Sequence, residues 1–248
     1  MMRIDFAVWK HYFLHNQQNL RAIDWEDSYR LTEAERRCIQ KSVQQFQLGE
    51  SSEGKHLIQQ AKRYAERTGN HDYYEAVAAF IREEQRHARD LARFMRGQQL
   101  PTIRGHWVDH VFRKLRQFAG LELSVMVLIT AEIIAKVYYV ALERSTKSKT
   151  LQDLCDQILQ DEEKHVEFQS ETLCKLGEGR WSVVNRSYRL AHRVLLEGTL
   201  VVVWHQHRSV FRAGGYRFRD FLAACRKEFR LSSSIAAGIA RLGRTFEG

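Results

Sequence analysis

Asp161-Glu162-Glu163-Lys164-His165 sets a glutamate and a histidine three residues apart, and Glu84-Gln85-Arg86-His87 does the same earlier in the chain. An α-helix turns once in about 3.6 residues, so side chains at i and i+3 project from one face. A carboxylate and an imidazole held side by side there can bind one metal ion between them. Two helices carrying such pairs, with one glutamate from each of two others, build a dinuclear site inside a four-helix bundle. The chain must therefore supply long helices and two further buried glutamates.

Long helices are what the flanking sequence offers. Pro101 is the one proline among 248 residues, which leaves room for unbroken helical runs. Thr32 followed by Glu35 is a capping-box signature. A first helix (A) is expected from there to about Arg67, stopped by Thr68-Gly69-Asn70. A second (B) runs from about Asp72 to Arg96 and ends at Gly97. A third (C) runs roughly from Trp107 to Arg144 with a bend near Gly120, and a fourth (D), capped by Thr150, ends at Gly177. No strand-like alternation persists anywhere. The expected fold class is all-α, an antiparallel four-helix bundle over about residues 33–176, within a single domain spanning residues 1–248.

The ends of the chain add to this bundle. Phe6, Trp9, Tyr12, Phe13, Trp25 and Tyr29 suggest one or two short helices packed across it. After Gly179, Ser182 opens a fifth helix reaching about Phe211, broken by Gly214-Gly215. A shorter basic helix then precedes a hinge at Ser232-Ser233-Ser234, so that residues 180–248 form a basic helical extension.

Chance alone supplies roughly one Glu-x-x-His pair in a chain with 20 glutamates and 11 histidines, and three occur, the third being Glu53/His56. Placement carries more weight than number: the pairs at 84/87 and 162/165 fall on the second helix of each hairpin. On helix C, Glu132 lies within LSVMVLITAEIIAKVYYVAL (residues 123–142), apolar on nearly every side. Burying an isolated carboxylate costs several kcal/mol unless it is paired or binds a metal. A pair with Lys136 one turn later is the plainer alternative, and metal ligation is favoured over it. On helix A both Glu50 and Glu53 qualify, and spacing does not choose between them. Asp161 is placed to hold His87 of the opposite hairpin, as carboxylates commonly do for ligating histidines. Tyr139, two turns below Glu132, is a candidate to face the site. An exposed acid and a core tyrosine are the ordinary readings of these two.

These six positions resemble the ferritin-like diiron-carboxylate superfamily, over roughly residues 33–176. Gly49-Glu50-Ser51 resembles the helix-A motif of rubrerythrins. Glu84-Gln85-Arg86-His87, Asp161-Glu162-x-x-His165 and Glu132 with Tyr139 are similar to segments of aldehyde-deformylating oxygenases. The resemblance implies metal ligation by Glu50, Glu84, His87, Glu132, Glu162 and His165, favours Glu50 over Glu53, and makes Glu84 and Glu162 the bridging carboxylates. It implies two iron ions, with manganese or a mixed Mn/Fe pair as alternatives. The expected activity is that of a non-haem diiron oxidase or oxygenase acting on O2 and a small, apolar organic substrate. A rubrerythrin-like peroxide reductase is the second expectation, although no paired CxxC motif for a rubredoxin iron is present. Iron binding without an organic substrate is the third, and a metal-free helical interaction protein the fourth.

Composition bounds the partners. The formal charge is +9, and from Gly177 onward 13 Lys/Arg face 5 Asp/Glu, so this segment alone carries +8. Such a surface suits an acidic partner protein, and an external electron donor such as a ferredoxin is expected; a homodimer is compatible with the pattern. No nucleic-acid motif accompanies the charge, and nucleic acid is not expected. Cys38, Cys155, Cys174 and Cys225 are scattered and form no CxxC, and the N-terminus lacks the layout of a signal peptide. A cytoplasmic location with reduced cysteines is the expectation. The apolar run of helix C contains Ser124, Thr130, Glu132 and Lys136, which favours a buried helix over a membrane span.

Overall fold

A computed structural model describes residues 4–51, 54–106 and 120–245, with side chains to residue 236. Among these residues every regular element is a helix: α1 (Phe6–Asn16), α2 (Glu33–Glu50), α3 (Lys55–Thr68), α4 (His71–Gly97), α5 (Leu121–Arg144), α6 (Lys149–Leu176), α7 (Ser182–Ala213) and α8 (Phe218–Thr245). The ferritin-like all-α reading holds. Helices α2, α4, α5 and α6 form the bundle, with α4 against α2 and α6, and α5 against α6. Helix α1 lies along α4, α7 covers α2 and α5, and α8 packs on α5 and α6.

Local chemistry accounts for the starts of these helices. The Thr32 hydroxyl accepts from the Glu35 backbone N–H while the Glu35 carboxylate accepts from the Thr32 N–H, a complete capping box. Asn70 caps α4 through the Tyr73 N–H. Ser148 caps α6 through the Leu151 N–H, two residues before the expected cap at Thr150.

Helix A departs from expectation. The sequence predicts a continuous helix to Arg67, whereas α2 ends at Glu50 and α3 starts at Lys55. Gly54 enters α3 at φ +60°, and a Cβ there would lie 2.5 Å from Ile81 Cδ1. Only glycine meets both demands. The break leaves Glu50 as the last residue of α2. Glu53, the alternative ligand, lies outside the described residues, as does the expected start of helix C, residues 107–119.

The extension is also corrected. α8 passes unbroken through Ser232-Ser233-Ser234, so no hinge forms there. Ser232 is buried, and its hydroxyl and that of Ser170 share a 2.6 Å hydrogen bond, which makes a core contact of the position expected to bend. Residues Leu196, Leu200, Trp204, Phe211 and Phe221 of α7 and α8 join Ile129, Ile133, Tyr138 and Leu142 of α5 in one apolar cluster. A second, aromatic cluster (Phe6, Trp9, Phe13, Tyr73, Phe80 and Phe168) lies under α1. α5 is the one described helix long and apolar enough to cross a membrane, and 78% of its apolar window is buried among its neighbours.

Candidate metal centre

Four helices deliver one cluster of acids and imidazoles to the middle of the bundle. Glu50 comes from the end of α2, Glu84 and His87 from α4, Glu132 from α5, and Glu162 and His165 from α6. They form two overlapping quartets, Glu50/Glu84/His87/Glu162 and Glu84/Glu132/Glu162/His165, with the donor atoms of each within 4.8 Å of one another. Glu84 and Glu162 belong to both. His165 Nδ1 lies 3.0 Å from Glu84, 3.4 Å from Glu162 and 4.0 Å from Glu132. His87 Nδ1 lies 3.7 Å from Glu162 and 3.8 Å from Glu84. Lys136 does not pair with Glu132: its ammonium reaches out to Glu228 of α8.

Hydrogen bonding separates an outer ring from an inner one. On the outer side His87 Nε2 lies 3.0 Å from Asp161 Oδ2, and His165 Nε2 lies 3.0 Å from Glu83 Oε2. Each histidine is thus held by the acid that precedes the motif glutamate of the other helix. Asn16, at the end of α1, donates to both acids, at 2.6 Å to Glu83 and 2.7 Å to Asp161. Arg86 donates to Asp161 as well. On the inner side, Tyr139 donates to Glu50 Oε1 at 2.8 Å. Glu83 and Asn16 were missed from the sequence. Glu83 had a signal, because it sits before Glu84 as Asp161 sits before Glu162; Asn16 had none.

The inner atoms carry the test of whether metal fits. Glu84 Oε1, His87 Nδ1, both Glu162 oxygens and His165 Nδ1 are buried with no aligned hydrogen-bond partner. Nearly all buried polar atoms are paired in folded proteins, so five orphans facing one another need an occupant. With both Nε2 atoms committed to carboxylates, the Nδ1 lone pairs are free to face that occupant. The donor set fits two metal ions, since four ionised carboxylates and two neutral imidazoles balance two divalent cations.

Without cations the cluster is under electrostatic stress. Burial pushes the carboxyls of Glu50 and Glu132 well above the usual range, and the neighbouring Glu84 and Glu162 add to it. Glu84 is raised by burial and by Glu132. Burial pushes Glu162 up to about 7, against the opposing contacts to Glu132 and His165. Burial disfavours a charged His165, yet Glu162, Glu83 and Glu84 outweigh that and hold it well above its ordinary value. Asp161 behaves oppositely: burial would raise it, but His87 and Arg86 hold it well below the carboxylate range.

Among the described residues, the histidines of α7 lie outside both quartets. His205 is exposed, whereas His207 is buried against Ser42, 2.7 Å from its hydroxyl, in keeping with two residues on different helix faces.

No family model matches the chain, and no curated protein matches it. Among solved structures it is similar to a variant of an R2-like ligand-binding oxidase with an aerobically reconstituted Mn/Fe cofactor. The two share 16% identity at a TM-score of 0.63, over 93% of each chain. At that identity the likeness concerns the fold.

Proposed function

We propose that this chain is a non-haem dinuclear metal oxidase that uses O2 on a small apolar substrate. The observation that carries it is the set of five orphaned donor atoms at the centre of the bundle. The structural neighbour, described as an oxidase with a Mn/Fe cofactor, supports the class and favours iron or a manganese–iron pair. Bound there, such a pair would pass electrons to O2, drawing them from the organic substrate or from an external electron donor.

The chain's own residues do the rest. Glu50, Glu84, His87, Glu132, Glu162 and His165 would hold the metals, and Glu84 and Glu162 belong to both quartets. Asp161 and Glu83 keep each histidine in the tautomer protonated at Nε2 and fix its ring plane. Tyr139 steadies Glu50; burial and the adjacent carboxylate raise its pKa well above the ordinary phenol value, so it remains a neutral donor. Phe80 and Phe13 stand against His165, with ring centroids 4.7 Å and 6.0 Å away, and keep water from that side.

The test loads metal-free protein anaerobically with Fe(II), Mn(II) or both, counts metal per chain, and then follows O2 consumption. Expected are about two metals per chain and stoichiometric O2 uptake, both strongly reduced in Glu132→Gln. Full metal occupancy and unchanged O2 uptake in that variant would remove Glu132 from the site. Failure of the parent protein to hold metal would sink the whole reading.

A further inference from the structure

α7 shows solvent a face that nothing else in the described structure uses. Its buried side, formed by Leu196, Leu200, Val203 and Phe211, packs on the bundle. On the opposite side Val183, Leu190 and Val194 are 70%, 63% and 65% exposed, with Val201 half exposed and Trp181 83% exposed just before the first turn. At 100° per residue, Val183, Leu190, Val194 and Val201 fall within about 40° of one another, a single stripe about 27 Å long. Scattered exposed apolar residues are ordinary; an aligned row ending in an exposed tryptophan is not.

The charges beside the stripe are positive but for one acid, which is paired. Arg186, Arg189 and Arg193 lie along one flank and are exposed, and Arg208 and Arg212, also exposed, fall in line with the stripe itself beyond Val201. Glu197 is the one acid of α7, and Arg226 of α8 engages it through two hydrogen bonds of 2.8 and 2.7 Å. The helix thus offers uncompensated positive charge beside exposed aliphatic side chains.

From this juxtaposition we propose that α7 is an in-plane membrane anchor that docks the protein on an anionic lipid surface. Valine, leucine and tryptophan enter the boundary between headgroups and acyl chains while the arginines stay among the phosphates. A second copy of the chain is the poorer occupant, because a two-fold contact through this face sets the same arginines against each other. An acidic protein or a nucleic acid satisfies the charge but gives the aliphatic stripe nothing comparable to enter. Docking brings an apolar molecule dissolved in the bilayer close to the bundle. The proposal stands independently of the metal chemistry.

The full chain is incubated with vesicles of phosphatidylcholine alone, or of phosphatidylcholine mixed with phosphatidylglycerol, and sedimented. Binding to the mixed vesicles, weakened by salt and accompanied by a blue shift of tryptophan emission that Trp181→Phe removes, is the expected result. Arg186→Gln and Arg193→Gln should each weaken binding by about fivefold. The double change Leu190→Gln with Val194→Gln should abolish it while leaving helix content and metal binding intact, since both side chains are exposed. Absence of binding to the mixed vesicles overturns the proposal, as does equal, salt-insensitive binding to both kinds. A concentration-dependent dimer that the double change dissociates, with no vesicle binding, assigns the face to a second copy instead.

Discussion

Glu83 and Asp161 perform one task for opposite histidines, and both are buried acids whose presence is otherwise a cost. Replacing Glu83 by Gln keeps the shape but removes the negative charge that holds the His165 Nε2 proton. We expect metal affinity to fall by about 10–100-fold, read by competition with a chelator; unchanged affinity would show that Glu83 is a packing residue. Asp161 was legible in the sequence because it adjoins a motif, and Glu83 became so only when the two motifs were set side by side. Glu132 was legible for a different reason: a lone carboxylate in an apolar run announces its own burial. At His207 the sequence did not tell burial from exposure, since histidine is common in both. Burial, with a smaller push from His106, pulls its pKa down to about 3, so it is neutral when folded. It is packed by Ser42, Phe46 and Tyr138. The unfolded chain, with a histidine pKa near 6.5, takes up a proton that the folded chain refuses. Stability from this residue is therefore complete above about pH 6.5 and is lost progressively as pH falls toward 3. His207→Gln, which can still bond Ser42, should flatten that decline relative to the parent in urea unfolding at pH 7 and pH 4.5. Parallel curves for the two proteins would refute the assignment.

At the scale of elements, what escaped the sequence was where helices pause. The stretch from Thr32 to Arg67 has helical character on both sides of Glu50, so its periodicity reads as one helix. The need for glycine at the restart comes from Ile81, brought against Gly54 by folding from another helix, and no local pattern encodes that contact. The converse holds at Ser232-Ser233-Ser234: three serines favour turns, but a hydrogen bond to Ser170 and a buried position carry the helix through. The bundle hairpins, by contrast, were readable because their ends are written in capping residues and glycines. Gly54→Ala adds a Cβ into Ile81 and a left-handed strain together. The expected loss is about 1–3 kcal/mol, seen as a lower Tm, along with weaker metal binding because Glu50 sits just before the break. Pairing it with Ile81→Ala should relieve the clash but leave the strain, restoring metal affinity more than stability. If the single change leaves both unaltered, the break does not depend on Gly54.

For the whole molecule, the two apolar clusters supply the driving force for folding, and the acidic centre opposes it. Four carboxylates buried among themselves resist the packing that gathers them, which is why Glu50, Glu84, Glu132 and Glu162 are all raised by burial. Metal reverses the sign of that contribution, because it binds the folded chain and has no such site in the unfolded one. Free metal at a hundred times its dissociation constant stabilises by about 2.7 kcal/mol per site. For a domain of this size that is a rise in Tm of about 5–10 °C per site. Glu132→Gln gives the sharper comparison. Removing one buried acid should raise the Tm of the metal-free protein while shrinking the rise that Fe(II) or Mn(II) produces, so the two melting curves exchange order when metal is added. A fall in the metal-free Tm with an undiminished metal response would mean that Glu132 is stabilised by something other than a cation. The crossing, if found, identifies the centre as a place where stability is surrendered for binding, and so distinguishes a metal site from a merely polar core.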